Sequence, residues 1–193
     1  DLPGAFSLKG GGILENLTDS LTRSGTIGLD MVTRNLNFLT GLTGVTPDGS
    51  LVIPDSMSLK MKMEMNGPQY KAKLDLKEGK GSMNVNAALN SSTEVYTADL
   101  KINDLQLHHF LPKDSIYELS LSADAKGRGL DVMSFHSLAN LNLSLDQLHY
   151  ARYHLSNVHL TGNLKGALAT AQLTSDNELL KMTADAEYNL AHS

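Results

Sequence analysis

The feature that most constrains this chain is the strict alternation of apolar and polar residues over 57–65 (MSLKMKMEM). Successive side chains of a β-strand point to opposite faces, so this stretch predicts a strand with Met and Leu on one face and Ser, Lys and Glu on the other. Seven such stretches predict one large, mainly antiparallel sheet with an apolar face and a polar face. The other six are 70–76, 83–87, 96–102, 117–125, 139–145 and 180–190.

Short turn signals separate these strands, which is the rhythm of a meander in which sequential strands are neighbours. They lie at 66–68, 79–81, 90–92 and 127–129.

One stretch near the N-terminus has a different period. Ile13, Leu14, Leu17 and Leu21 have helical spacing, and glycines precede and follow them. This spacing predicts a short amphipathic helix over 13–23, with the glycines at 10–12 forming a bend before it.

Composition bears on how the sheet closes. Hydrophobic content is 41% and aromatic content 5%, with no Trp. Aromatic side chains fill much of a compact core. Because this chain has few of them, its composition fits a sheet curled over one apolar layer better than a thick sandwich. We therefore expect residues 1–193 to form a single unit with a soft boundary near 45–56. The alternative is a binding or adhesion module with a closed β-sandwich fold, whose apolar faces form its own core.

Charge and residue types exclude several classes of function. The net charge is −5 and the basic residues are dispersed, which argues against nucleic-acid binding. The chain has no Cys, so disulfides and Cys-based zinc sites are excluded. No stretch is apolar for about 18 residues, as a membrane-spanning helix would require.

Histidines and acids give no catalytic or metal-binding pattern. His108 and His109 are adjacent, so on a strand they would face opposite sides, and no His pair has the spacing of metal ligands. His159, between Val158 and Leu160, is expected to face solvent. No Ser lies in a nucleophile elbow. The acids fall at outward strand positions, where solvation explains them: Glu64, Asp75, Asp99, Asp124 and Glu187. We predict a non-enzymatic protein without a cofactor or a metal.

A weak internal repeat joins an alternating strand to a polar kink and then an apolar anchor, as at 26–39 and again at 97–111. Such repeats suggest an architecture that grows by adding strands. Further strand and turn motifs occur at 36–39 (LNFL), 110–117 (FLPKDSIY) with 125–129 (AKGRG), and 155–160 (LSNVHL) with 162–166 (GNLKG). In these motifs the chain resembles the AsmA-like superfamily, and within it the TamB-like translocation and assembly module family.

This resemblance implies an elongated, curled, taco-like sheet with a hydrophobic concave face. It implies a periplasmic location in a Gram-negative envelope, in a parent protein anchored in the inner membrane. It also implies phospholipid transport between membranes or outer-membrane protein assembly, with phospholipid acyl chains and an outer-membrane barrel as partners. The chain shows neither an anchor helix nor an identifiable partner-binding segment, so we expect it to be an internal fragment.

The expected function is the shielding of lipid acyl chains in an apolar groove. Leu and the unbranched, polarisable Met suit such a dry track. The predicted lipid-groove residues are the inward side chains of the alternating strands. They are Met57, Leu59, Met61, Met63, Met65, Tyr70, Ala72, Leu74, Leu76, Met83, Val85, Tyr96, Ala98, Leu100, Ile102, Leu119, Leu121, Leu141, Leu143, Leu145, Leu180 and Met182.

Overall fold

The computed structural model describes residues 5–34 and 52–192. These residues form twelve strands in one open, curled sheet. The strands are β1 (Phe6–Glu15), β2 (Ser24–Thr33), β3 (Met57–Asn66), β4 (Gln69–Glu78), β5 (Gly81–Asn90), β6 (Val95–Gln106), β7 (Ile116–Arg128), β8 (Leu138–Tyr150), β9 (Tyr153–Leu155), β10 (Val158–Lys165), β11 (Leu168–Asn177) and β12 (Leu180–Asn189). Two 3₁₀ turns, Leu107–His109 and Leu190–His192, complete the secondary structure.

The sheet is an antiparallel meander. Its strand order is β1 to β8 followed by β10, β11 and β12, and the short β9 pairs with β8. The all-β prediction is confirmed, and each of the seven alternating stretches lies within a separate strand, apart from residue 190 at the end of the last stretch. The described residues form one sheet rather than two packed sheets, so the closed sandwich is not their architecture.

The predicted helix over 13–23 is wrong. Residues 13–15 end β1, where Ile13 pairs with Thr26, and 16–23 form a turn in which Arg23 N–H donates to the Asp19 carbonyl at 2.9 Å. Four apolar residues over two turns cannot stabilise an isolated helix, because short helices are marginal without tertiary packing. Ten ladder pairs with β2 instead take up the backbone of β1.

The glycines expected to form a bend before that helix lie inside β1. A Cβ on Gly12 would come within 2.7 Å of the Thr26 carbonyl oxygen, and one on Gly25 within 2.6 Å of the Ile13 carbonyl oxygen. Glycine at these places permits the close approach of β1 and β2.

Two further predictions need correction. Gly127 and Arg128 still belong to β7, and the turn begins at Gly129, whose φ is +87°. His108 and His109 lie in a 3₁₀ turn rather than a strand, with ring centroids 4.1 Å apart, so they do not face opposite sides of the sheet. The 36–39 motif lies outside the described residues, as does the 45–51 part of the expected boundary.

A small core lies at one end of the strands, where β3 begins and β4 ends. Met57, Leu76, Ile102 and Leu105 are buried there, and apolar side chains of the β6–β7 connection, including Phe110, pack against them. Thr33 is buried beside this core. Its hydroxyl donates to the Pro54 carbonyl at 2.7 Å and accepts from Met57 N–H at 3.0 Å.

The polar face carries side-chain hydrogen bonds between neighbouring strands. Asn84 donates to Asp75 at 2.6 Å, and Asn142 donates to Asp124 at 2.9 Å. The five acids predicted to face outward are all exposed, as is His159. Cross-strand polar pairs of this kind support a sheet face that stays in water.

In the part of the chain that the structure describes, no helix has the length and apolar character needed to cross a membrane.

Candidate functional site

The register of the sheet aligns apolar side chains into rows that cross the strands. Residues that pair directly in an antiparallel ladder project from the same face. The row through the middle of the sheet, the central row, is apolar in all eleven strands of the main path. It consists of Gly10, Leu29, Met61, Leu74, Val85, Leu100, Ala123, Leu143, Leu160, Leu173 and Ala184.

The register places every predicted lipid-groove residue on this same face. The apolar residues from Met57 to Met65 alternate with polar residues of β3, and their partners in β4 are the predicted residues Tyr70 to Leu76 and the terminal Glu78. At the far end of the sheet, Met182 pairs with Ser175 and Leu180 with Asn177. We call this surface the apolar face.

Sequence reasoning missed part of the apolar face. β1 and β2 contribute Leu8, Ile27, Leu29 and Met31, and β10 and β11 contribute a further set that includes Leu160 and Leu173. A signal existed, because 158–164 (VHLTGNL) and 27–31 (IGLDM) also alternate. Small residues within these stretches weakened it.

Charge is nearly absent from the apolar face. Among the described residues that pair across strands on this face, Glu78 is the only Asp, Glu, Lys or Arg, and it lies at the end of β4. Glu78 is 5% exposed, and its Oε1 lies 2.7 Å from Nδ1 of His109. Burying a carboxylate is costly unless it is paired, and the histidine provides that partner at the margin of the face.

Beside the central row runs a row of smaller side chains, the alanine row. Its middle consists of Ala72, Ala87, Ala98 and Ala125, which are direct partners across β4 to β7. Larger residues flank Ala72, Ala87 and Ala98 on both sides. They are Leu74, Val85 and Leu100 in the central row, and Tyr70, Leu89 and Tyr96 in the row beyond.

The small side chains of Ala72, Ala87 and Ala98 leave a trough beside the row of Tyr70, Leu89 and Tyr96. A cavity of about 420 Å³ lies there, lined by Ala72, Ala87 and Ala98 with Tyr70, Leu89 and Tyr96. Ile27 and Met63 extend it toward β1, and Leu130 borders it from the β7–β8 loop. A volume of this size is within the range of small-molecule sites, about 300–1,000 Å³. The trough is therefore an open, apolar feature of the sheet surface.

Much of the apolar face is half-buried or exposed rather than buried. Met63 is 46% exposed, Ile27 39% and Leu141 37%. Core residues of a closed domain are usually far less accessible, so these side chains have no second protein layer over them among the described residues.

The opposite face has the electrostatics of a solvated surface. Lys62 Nζ lies 2.5 Å from Glu64 Oε1, and this hydrogen bond and charge attraction lower the pKa of Glu64. No group of three or more His, Asp or Glu among the described residues has the arrangement of a metal site. What the chain offers chemically is an apolar track on one face and a hydrated face behind it.

Comparison with protein-family models, with curated proteins and with solved structures gave no match.

Proposed function

We propose that this protein shields lipid acyl chains along its apolar face, as a non-enzymatic carrier or conduit. The observation that carries the proposal is the central row together with the alanine trough beside it. A hydrocarbon chain requires a dry, continuous surface and no directional contacts, and these rows provide one across the whole sheet.

The dimensions support this occupant. Eleven strands spaced about 4.8 Å apart give an apolar path of roughly 50 Å across the sheet. One acyl chain, half of a hydrocarbon core about 30 Å thick, is about 15 Å long. It would cross about three strands, so the path is long enough for several chains in succession.

The energetics favour holding without trapping. Each buried CH₂ contributes about 0.8 kcal/mol, so an acyl chain in the trough gains several kcal/mol in total. Because the sheet is open, a polar headgroup can stay in water while the chain lies on the apolar face. Movement along equivalent apolar rows would require no catalytic residue.

The resemblance to the TamB-like family supports the same proposal and extends it. Under that extension the chain is a segment of a periplasmic bridge in a Gram-negative envelope. Its parent protein is anchored in the inner membrane and moves phospholipid or assists an outer-membrane barrel. The strands and turns that carry the resemblance contain no catalytic signature, in accord with a role in binding and transport.

The test is mass spectrometry of organic extracts from the purified protein and from Met61→Glu. Met61 lies in the central row between Leu29 and Leu74, so a carboxylate there interrupts the track. The matched control is Ser58→Glu, on the polar face of the same strand and opposite Lys77. We expect stoichiometric phospholipid in the wild type and in Ser58→Glu, and its loss in a folded Met61→Glu.

Two results would contradict the proposal. One is a folded Met61→Glu variant that retains its lipid. The other is a wild-type protein that carries no lipid and also fails to bind an apolar dye, which would mean that protein rather than lipid covers the apolar face.

A further inference from the structure

We infer that the β7–β8 loop, residues 129–137, inserts its apolar side chains into the surface of an anionic phospholipid bilayer. The loop is separate from the trough floor. Membrane contact by the loop stands on its own observations, whereas its use in passing lipid to the trough rests on the proposed function.

The loop presents four large apolar side chains to solvent within six residues. Leu130 is 58% exposed, Val132 51%, Met133 54% and Phe135 78%. Turn loops are normally built from Gly, Pro, Asn, Asp and Ser, and a cluster of exposed apolar residues marks an interaction surface. Exposure this high leaves each of the four side chains free to insert into a bilayer.

The backbone of the loop is largely hydrogen-bonded within the protein. This matters because an unpaired backbone group costs several kcal/mol on entering hydrocarbon, so a loop in contact with lipid must satisfy such groups internally. Side chains of Glu94, Asp131 and Ser134 and backbone carbonyls accept these bonds. The donors are the N–H groups of Gly129, Leu130, Met133, Ser134, His136 and Ser137.

Positive charge lies beside the loop on the polar face. Arg128 and Lys165 both pair with Leu138, the first residue of β8, and Lys126 is the next polar-face residue of β7. The direct register partners of these three cations are uncharged. The two acids at the loop, Glu94 and Asp131, accept hydrogen bonds from its backbone, and the three cations outnumber them. Apolar side chains bordered by Lys and Arg are the pattern of proteins that bind the surface of anionic membranes. This complementarity is the reason for assigning a bilayer rather than a protein partner.

The loop is continuous with the trough. Leu130 borders the cavity whose floor is the alanine row, together with Tyr96 and Leu14. A bilayer held at the loop would therefore lie next to the opening of the trough, so lipid could pass between the two without crossing water.

The experiment measures cosedimentation of the whole chain with vesicles of phosphatidylcholine alone and with vesicles that also contain phosphatidylglycerol. The wild type should bind the anionic vesicles. The double variant Met133→Ser/Phe135→Ser should weaken binding at least tenfold, because burying each of these two apolar side chains in the bilayer strengthens binding by close to tenfold or more. Arg128→Gln should weaken binding to anionic vesicles about fivefold and leave binding to neutral vesicles unchanged.

The matched control is Leu179→Ser, because Leu179 is 59% exposed in the β11–β12 turn at the opposite margin of the sheet. It should bind as the wild type does. The inference is overturned if the wild type does not bind vesicles, or if Leu179→Ser loses as much affinity as the loop variant.

Failure of this inference and failure of the proposed function are distinguishable. Met61→Glu lies outside the loop and should bind vesicles normally while losing extractable lipid. A wild-type protein that carries lipid but does not bind vesicles would overturn the loop inference alone. Vesicle binding that depends on the loop, in a protein that carries no lipid, would support the inference and overturn the proposed function.

Discussion

Filling the alanine trough tests its role without introducing charge. Ala98 lies in the floor between Ala87 and Ala125, and it is half-buried. A Phe at this position would lie over these two small neighbours and occupy the space that we assign to an acyl chain. We therefore expect Ala98→Phe to fold normally and to bind lipid more weakly.

The magnitude follows from the geometry of the trough. Each CH₂ advances about 1.3 Å along an extended chain, the projection of a carbon–carbon bond of about 1.5 Å, so one strand spacing of about 4.8 Å corresponds to about four CH₂ groups. Displacing four groups at about 0.8 kcal/mol each costs about 3 kcal/mol. This corresponds to a weakening of binding of roughly a hundredfold, since 1.4 kcal/mol is a factor of ten.

The assay is titration with a lipid that carries a fluorescent acyl chain, read as the dissociation constant. The control is Lys101→Phe, which adds the same ring to an exposed position on the polar face of the same strand, outside the cavity lining. The reasoning is refuted if Ala98→Phe binds within a factor of three of the wild type, or if Lys101→Phe is weakened equally while both variants are folded.

Three further predictions concern stability. Thr33→Val should lower the free energy of unfolding in urea by about 1–3 kcal/mol, because it leaves the buried Pro54 carbonyl without its hydroxyl donor; an unchanged midpoint would contradict this. Gly127→Ala should cost about 1–3 kcal/mol, because the new Cβ would collide with the Leu138 carbonyl oxygen and with the Tyr96 ring and hydroxyl; Gly127→Ala with Tyr96→Ala should recover part of the loss, and no recovery would mean that the Leu138 carbonyl alone sets the cost. Hydrogen bonds from Leu21 N–H and from the Thr22 hydroxyl lower the pKa of Asp19 below its ordinary value of 3.8. These contacts therefore stabilise the turn above that pH and are lost as pH falls through the lowered pKa. Amide protection of 16–23 should therefore fall in that acidic range in the wild type, and a similar fall in Asp19→Asn would contradict this assignment.

The strand pattern was predictable because period-two alternation is a local property. The stretch over 57–65 determines its own faces, and the antiparallel partner at 70–76 follows from the short turn between them. The same logic failed at 13–21, where four apolar residues fit a helical period. Pairing with β2 decided the outcome there, and sequence periodicity alone contains no information about that partner.

The trough itself could not be predicted from the sequence. Ala72 and Ala98 stood out as inward residues, but the depth of the site depends on Ala87 lying directly between them. That alignment is set by the register of three strands, which depends on the lengths of two turns. The apolar β7–β8 loop was missed for a different reason, since its residues have no periodicity and its exposure is a property of the folded chain.

The most direct test of the central claim is photo-crosslinking with a phospholipid that carries a diazirine in its acyl chain, followed by peptide mapping. We expect adducts on alternate residues of β3 and β5, at Met61, Met63 and Val85, and none at Lys62 or Asn84 between them. Adducts spread evenly over both faces, or confined to the polar face, would show that the apolar rows do not hold the acyl chain.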